Sequence, residues 1–349
     1  MLRKTVRYFL LLCLLFGPGS ELLASHILGG GFRFESLNSC TTRVHLELYY
    51  DCTSPIANFP TIPPIGSNQI SVLSDSFCLP PIMISAWTGQ SVTETTPICP
   101  GQPTNCTDPN SLTTGYFVVT YSADYDLCAQ PCNANNYTFV YESCCRSSNL
   151  LNLVNPGANG TYITSNLENL PNLDNNSPIF NQTATPIVCI GQGGVIDLGA
   201  YDVDGDSIWY SLTTCMDEQQ APVTYGPGFS PTQPLGAAVN LGFDSQTGII
   251  TIPPSSISAG SYQVCVEVHE SRNGQYLGSV IRDFAITTLN CPSGVGSLPS
   301  FSGLQNVFNG DVVGPNNIVV CEGQSLSFEM AFSDADPNDI ITVSSNALA

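Results

Sequence analysis

Asp202, Asp204 and Asp206 place three carboxylates within five residues, and Gly205 between the last two lets the backbone turn tightly. Three converging anions repel one another. A hard cation that takes roughly six to eight oxygen ligands relieves that repulsion, so this spacing fits Ca2+. The loop is not an EF-hand, because the glycine of that motif falls at Ser207 and its closing glutamate at Thr213. A solvated acidic turn is the alternative. If strands begin near Val195 and Ser207, the loop joins them at the same end as the Asn273-Gly274 hairpin, which makes Glu270 a further candidate ligand. The loop then faces the preceding domain, where a bound ion would stiffen the junction. Asp334 and Asp336, with Asn338 and Asp339, repeat the device 132 residues later.

Other chemistry is thinly represented. His26, His45 and His269 are the histidines, and none sits in a metalloprotease or Cys-His signature. No catalytic residue and no organic cofactor is expected. Cys128, Cys132, Cys144 and Cys145 loosely mimic a zinc ribbon, but adjacent cysteines do not match tetrahedral thiolate spacing, and disulfides are the expectation there. Trp87 and Trp209 are the tryptophans on which a sugar could stack, with core packing favoured for Trp209.

The elements that carry these residues are strands. Arg3, Lys4 and Arg7 precede an apolar run, Tyr8 to Phe16, and small residues at Ala24-Ser25, the layout of a secretory signal peptide over 1–25. The run is shorter than the ~20 residues a spanning helix needs, and no transmembrane segment is expected in the mature portion. Losing that leader removes three bases and one acid, taking the net charge from −20 to −22, with no lysine left. Such a field repels nucleic acid and anionic lipid. Of the 15 cysteines, Cys13 leaves with the leader, and the rest read as a disulfide framework in an exported protein. Cys189 is expected to pair with Cys291 and Cys215 with Cys265, while the odd number between Cys40 and Cys145 leaves one thiol over.

Period-two alternation marks Phe32 to Phe34, Val44 to Tyr50, Tyr116 to Tyr121 and Tyr137 to Tyr141 as strands. Val195 to Gly199, Ser207 to Thr213, Tyr262 to His269 and Leu277 to Thr288 follow, with turn signals between them. The expected fold is all-β: tandem, disulfide-stabilised β-sandwich domains of immunoglobulin or cadherin type. The divisions are a Cys-rich β domain over 26–186, a cadherin/PKD-like sandwich over 187–291 and the truncated start of a third similar module over 292–349. The third is signalled by Val320-Cys321-Glu322-Gly323-Gln324, which echoes Val188-Cys189-Ile190-Gly191-Gln192 at the same offset as the acidic turns. The sequence is therefore expected to be cut from a longer chain.

Four stretches resemble the large modular surface proteins of Bacteroidetes that leave the cell by the type IX secretion route and often end in a gliding-motility-associated domain. They are Ser25-His26-Ile27-Leu28-Gly29-Gly30, then Tyr49-Tyr50-Asp51-Cys52, then Cys144-Cys145-Arg146 with Asn176-Ser177-Pro178-Ile179-Phe180, and finally Asp202 to Leu212 with Arg282-Asp283. Where that family usually has arginine before Asp-Cys, this chain has Tyr50. The resemblance implies a secreted, cell-surface protein with an adhesive or structural role, engaging secretion machinery and an unidentified surface, matrix or glycan ligand. The acidic loop also resembles the calcium loops of cadherins. The alternative is a polysaccharide-binding accessory region of a secreted hydrolase whose catalytic domain lies downstream.

Overall fold

The computed structural model describes residues 27–52, 70–75, 82–84, 89–96, 103–111, 114–129, 134–168, 174–180, 186–290, 300–314, 317–321 and 323–333. The signal-peptide region, His26, Trp87, Cys132, Cys291, Asp334 and Asp336 lie outside them.

The chain is all-β. Its first half forms β1 (Ile27–Asn38), β2 (Thr41–Asp51), β3 (Ile70–Ser74), β4 (Ile82–Ile84), β5 (Gly89–Glu94), β6 (Tyr116–Asp126), β7 (Asn136–Ser143), β8 (Thr161–Glu168) and β9 (Ile179–Phe180). There follow β10 (Ile187–Cys189), β11 (Gly194–Asp197), β12 (Ala200–Tyr201), β13 (Ser207–Thr213), β14 (Met216–Asp217), β15 (Ala221–Pro222), β16 (Gly242–Phe243), β17 (Ile249–Ile252), β18 (Gly260–Arg272) and β19 (Gln275–Leu289). The last stretch adds β20 (Ser300–Phe308), β21 (Asp311–Gly314), β22 (Asn317–Val319) and β23 (Ser327–Ser333). Two single-turn 3-10 helices, Pro156–Ala158 and Glu218–Gln220, interrupt the strands.

One large sheet runs β4-β3-β7-β8-β19-β1-β2-β6-β5, with β10 and β18 also on β19 and β13 on β18. Strands from both sides of residue 186 therefore belong to one sheet. Gly30 pairs with Asp283 and Gly31 with Arg282, so β1 lies directly against β19. The sheet curls until distant members face one another: Phe34 of β1 meets Phe139 of β7 at 4.8 Å, and Tyr125 of β6 meets the same ring edge-on at 5.6 Å. Those rings are buried, as are Leu46, Leu48, Phe117 and Ile163. Each such side chain taken out of water contributes about 1.5–3 kcal/mol. A second layer, the small sheet β11-β17-β16, buries Ile196, Ile250 and Ile252 in the same core as Val264, Val266 and Val268 of β18. The result is a layered, disulfide-tied β-sandwich.

Disulfides close the edges. Cys40 bonds Cys128, Cys52 bonds Cys106, Cys144 bonds its neighbour Cys145, and Cys215 bonds Cys265 as expected. Cys128 and Cys144 thus have sulfur partners, which leaves no thiolate set for zinc at these positions. Cys189 is also disulfide-bonded, and Cys321 is a free, exposed thiol. Beyond residue 300, β20 pairs with β23 and β21 with β22, yet every residue of β23 is exposed.

Candidate functional site

β13 and β18 place the acidic turn. Their antiparallel register pairs Ile208 with Glu270 and Ser207 with Ser271, and so sets Asp206 beside Arg272. The hairpin to β19 turns through Asn273 and Gly274 at φ of 52° and 81°, the left-handed pair that a two-residue turn requires. At the entry to the loop, Ala200 N–H donates to the Tyr210 hydroxyl at 2.7 Å, and that hydroxyl donates to the Ala200 carbonyl. Gly205 turns at φ 81°.

Within the turn, one oxygen from each of Asp202, Asp204 and Asp206 lies within 4.8 Å of the others. Asp202 Oδ1 accepts the backbone N–H groups of Asp204 (2.9 Å) and Asp206 (3.0 Å). Arg272 donates to both oxygens of Asp206, at 2.7 and 2.8 Å, and approaches Asp204 at 3.3 Å. Asn176 donates its backbone and side-chain N–H groups to Asp204, at 2.8 and 2.9 Å. Glu270 stands outside the closest triplet. It continues the inward row Val264, Val266, Val268 and is 2% exposed. Its Oε1 accepts from Asn175 Nδ2 at 2.6 Å.

Two oxygens are left over: Asp202 Oδ2 and Glu270 Oε2 are buried without a hydrogen-bond partner. Burial, reinforced by Asp202, Asp206 and Asp204, pushes the Glu270 carboxyl up to about 8 in spite of the Asn175 bond. Burial also raises Asp202, against the pull of its two backbone donors. Buried carboxylate oxygens without a donor, close to further carboxylates, suit a cation that takes oxygen ligands.

Sequence reasoning missed Arg272, Asn175 and Asn176. The segment from Asp174 to Ser177 is a staple. Asn176 Oδ1 accepts from Ser36 N–H, Ser177 Oγ from Phe34 N–H, and Asn175 Oδ1 and the Asp174 carbonyl from Arg272. It ties the end of β1 to the acidic turn and to the tip of the β18–β19 hairpin. The only available signal was Asn176-Ser177, which recurs among the quoted stretches without a role attached.

Those four stretches meet in space. Arg146, 1% exposed, donates to Asp283 at 2.7 Å and to the Met216 carbonyl at 2.9 Å. Gln263 donates to the other oxygen of Asp283. The neighbouring Arg282 guanidinium lies 3.9 Å from the Phe180 ring centre and 5.8 Å from that of Tyr49. Gly29 is forced by the same assembly, because it turns at φ 149° and a side chain there would run into the Asp283 carbonyl.

Two Ser-His-Glu rows also form. His45 Nδ1 is 2.8 Å from Ser122 Oγ and Nε2 is 3.4 Å from Glu35, while His269 Nε2 is 3.1 Å from Ser211 Oγ and Nδ1 is 3.8 Å from Glu267. Ser122 lies in a strand paired on both sides, which commits the local backbone amides to the sheet. Burial lowers the His45 pKa. His269 lies flat against Trp209 at 5.2 Å, so Trp209 is half-buried on the face opposite Tyr210 and not in the core.

No family model matches this chain, and no curated protein matches it. Among solved structures it is similar to mouse clustered PcdhgC3 EC1-3, at 12% identity over 73% of this chain and 79% of that one, with a TM-score of 0.22. It is also similar to Titin-A168169, at 9% identity over 75% and 100%, with a TM-score of 0.16. Among the described residues, no helix is long and apolar enough to cross a membrane.

Proposed function

We propose that this chain is a non-catalytic, extracellular structural or adhesive module of a large bacterial cell-surface protein, whose acidic turn takes Ca2+. The observation that carries the reading is the convergence of its four distinctive stretches on the Arg146–Asp283 ion pair and the Arg282–Phe180 stack. These contacts hold strands of one sheet together. The disulfides favour an oxidising compartment outside the cell. The Ser-His-Glu rows serve as cross-strand packing, since an acyl-transfer site needs free N–H donors aimed at the developing oxyanion.

Asp202, Asp204, Asp206 and Glu270 are the residues that would hold calcium, and the ion would supply a partner to the oxygens of Asp202 and Glu270 that accept no hydrogen bond. Asp334 and Asp336 would repeat the arrangement. The surface reading is tested by treating intact producing cells with a membrane-impermeant, thiol-directed biotinylation reagent, for which the exposed thiol of Cys321 is the target in a chain that keeps no lysine after its leader. Labelling of the full-length protein supports it. Labelling only after lysis contradicts it.

A further inference from the structure

The outer face of the large sheet carries an aromatic cluster where β13, β18 and β19 run side by side. Alternation turns Ile208, Tyr210 and Leu212 toward the core and so sends Trp209 outward, directly opposite His269 in the ladder. A register shift between Glu270 and Ser271 sets Tyr276 opposite Ser271, which brings its ring onto the same outer face. Trp209 stacks on His269 at 5.2 Å, and Tyr276 lies 6.4 Å from Trp209 and 6.3 Å from His269. All three are half-buried, so each keeps part of its surface open to solvent.

Two carboxylates border the rings. Glu267 is the diagonal neighbour of Trp209 across β13 and β18, and Glu168 ends β8, which pairs with β19 on its other side. Burial raises the Tyr276 hydroxyl, and the charged groups that act on it are Glu267, Glu168 and Glu270, with no base among them. Glu267 accepts from the Ser279 hydroxyl at 2.7 Å and Glu168 from the Asn136 amide at 2.8 Å. Both donors are neutral, so they leave the charges in place. His269 Nδ1 stands 3.8 Å from Glu267, and Arg272, further along β18, is held by Asp206 and Asp204.

An aromatic ring presents the negative face of its quadrupole, and a carboxylate beside it adds full charge. That combination suits an organic cation. A basic side chain lays its apolar stem or its guanidinium plane on the rings while its charged end reaches the carboxylates. An anionic partner would be repelled, and so would a second copy of this chain, which carries the same net charge of −20. A neutral sugar would stack on the rings but would meet two charges that it cannot neutralise. We propose that the Trp209–His269–Tyr276 face docks a lysine- or arginine-bearing segment of a partner polypeptide. This goes beyond the structural-module reading and does not involve calcium.

The test follows the indole N–H signals of the full chain by NMR, where 2 tryptophans give two signals and Trp209→Phe assigns them. The probes are the end-blocked tripeptides of arginine, of lysine and of glutamate, and the neutral trisaccharide maltotriose. The expected result is a saturable shift of the Trp209 signal with a basic peptide and none with the glutamate peptide or the sugar. Trp209→Leu keeps every charge and Glu267→Gln keeps every ring, and each should weaken the basic peptide by about threefold or more. Asp311→Asn, which removes one exposed charge on β21, should leave its binding unchanged. If Trp209→Leu fails to fold, Glu267→Gln, which preserves shape, decides. No shift with either basic peptide, binding undiminished in a folded Trp209→Leu or Glu267→Gln protein, an equal loss in Asp311→Asn, or a shift with maltotriose alone would overturn the proposal.

Discussion

Arg272 grips Asp206 through two parallel bonds, at 2.7 and 2.8 Å, with the Asp206 side chain only 2% exposed. The acidic turn thus carries a cation of its own, which offsets part of the charge of its three carboxylates and leaves the rest for calcium. In calcium-free buffer, Arg272→Gln should lose about 1.5–3 kcal/mol of unfolding free energy, the range for hydrogen bonds to charged groups. Calcium should restore more stability to this variant than it adds to the wild type. Denaturant titration with and without calcium measures both, and a loss below about 0.5 kcal/mol would show that the pair is idle.

Arg146→Met strands the Asp283 carboxylate, whose pKa burial already raises against the pull of Arg146. Breaking a buried pair from one side costs about 3–5 kcal/mol, whereas replacing both partners with apolar residues is often nearly neutral. Urea unfolding should therefore rank Arg146→Met well below the double variant Arg146→Met/Asp283→Leu. Equal stabilities would mean that the pair is not the keystone its position suggests.

The Glu270 carboxyl has a pKa near 8 in the folded protein and about 4.5 ordinarily. Between those values the folded state holds a proton that the unfolded chain has released. Stability in chelator should therefore fall as pH rises from about 4.5 to 8 and then level off, with this group contributing up to about 1.4 kcal/mol per pH unit. Glu270→Gln, which cannot ionise, should remove that contribution. Melting curves across the window decide it, and an unchanged slope in the variant would place the pH dependence elsewhere.

β23 exposes Phe328, Met330 and Phe332, and its described partner is β20. A two-stranded sheet with this much exposed apolar surface is marginal in water. Mild protease should cleave between residues 300 and 333 while the fragment spanning β1 to β19 persists, as read by intact mass. Equal resistance of both regions would contradict this.

Much of the strand content was legible because side-chain alternation is local. Ser207–Thr213 and the Asn273-Gly274 turn fall where the sequence places them, and Ile208, Tyr210 and Leu212 share the core-facing side. The joining of the two halves was not legible. It rests on Gly30 and Gly31, which have no side chains to show a period, pairing with Asp283 and Arg282 some 250 positions later, and on β8 pairing with β19 on its other side. The acidic triplet was legible from spacing, whereas Arg272 and the Asn175–Asn176 staple were not. Their role depends on the β13–β18 register and on a loop return, neither of which leaves a short-range pattern.

Calcium binding at the acidic turn is tested most directly by thermal melting of the full chain in millimolar calcium and in chelator, for the wild type and for Asp202→Asn/Glu270→Gln. These substitutions remove the charge behind the two unpaired oxygens and spare the Asp204–Asn176 and Asp206–Arg272 bonds. A ligand at a hundred times its dissociation constant stabilises the folded state by about 2.7 kcal/mol. The wild type should melt several degrees higher in calcium than in chelator, and the double variant should melt alike in both. Equal melting of the wild type in the two buffers would contradict calcium binding and leave Arg272 as the turn's only countercharge among the described residues.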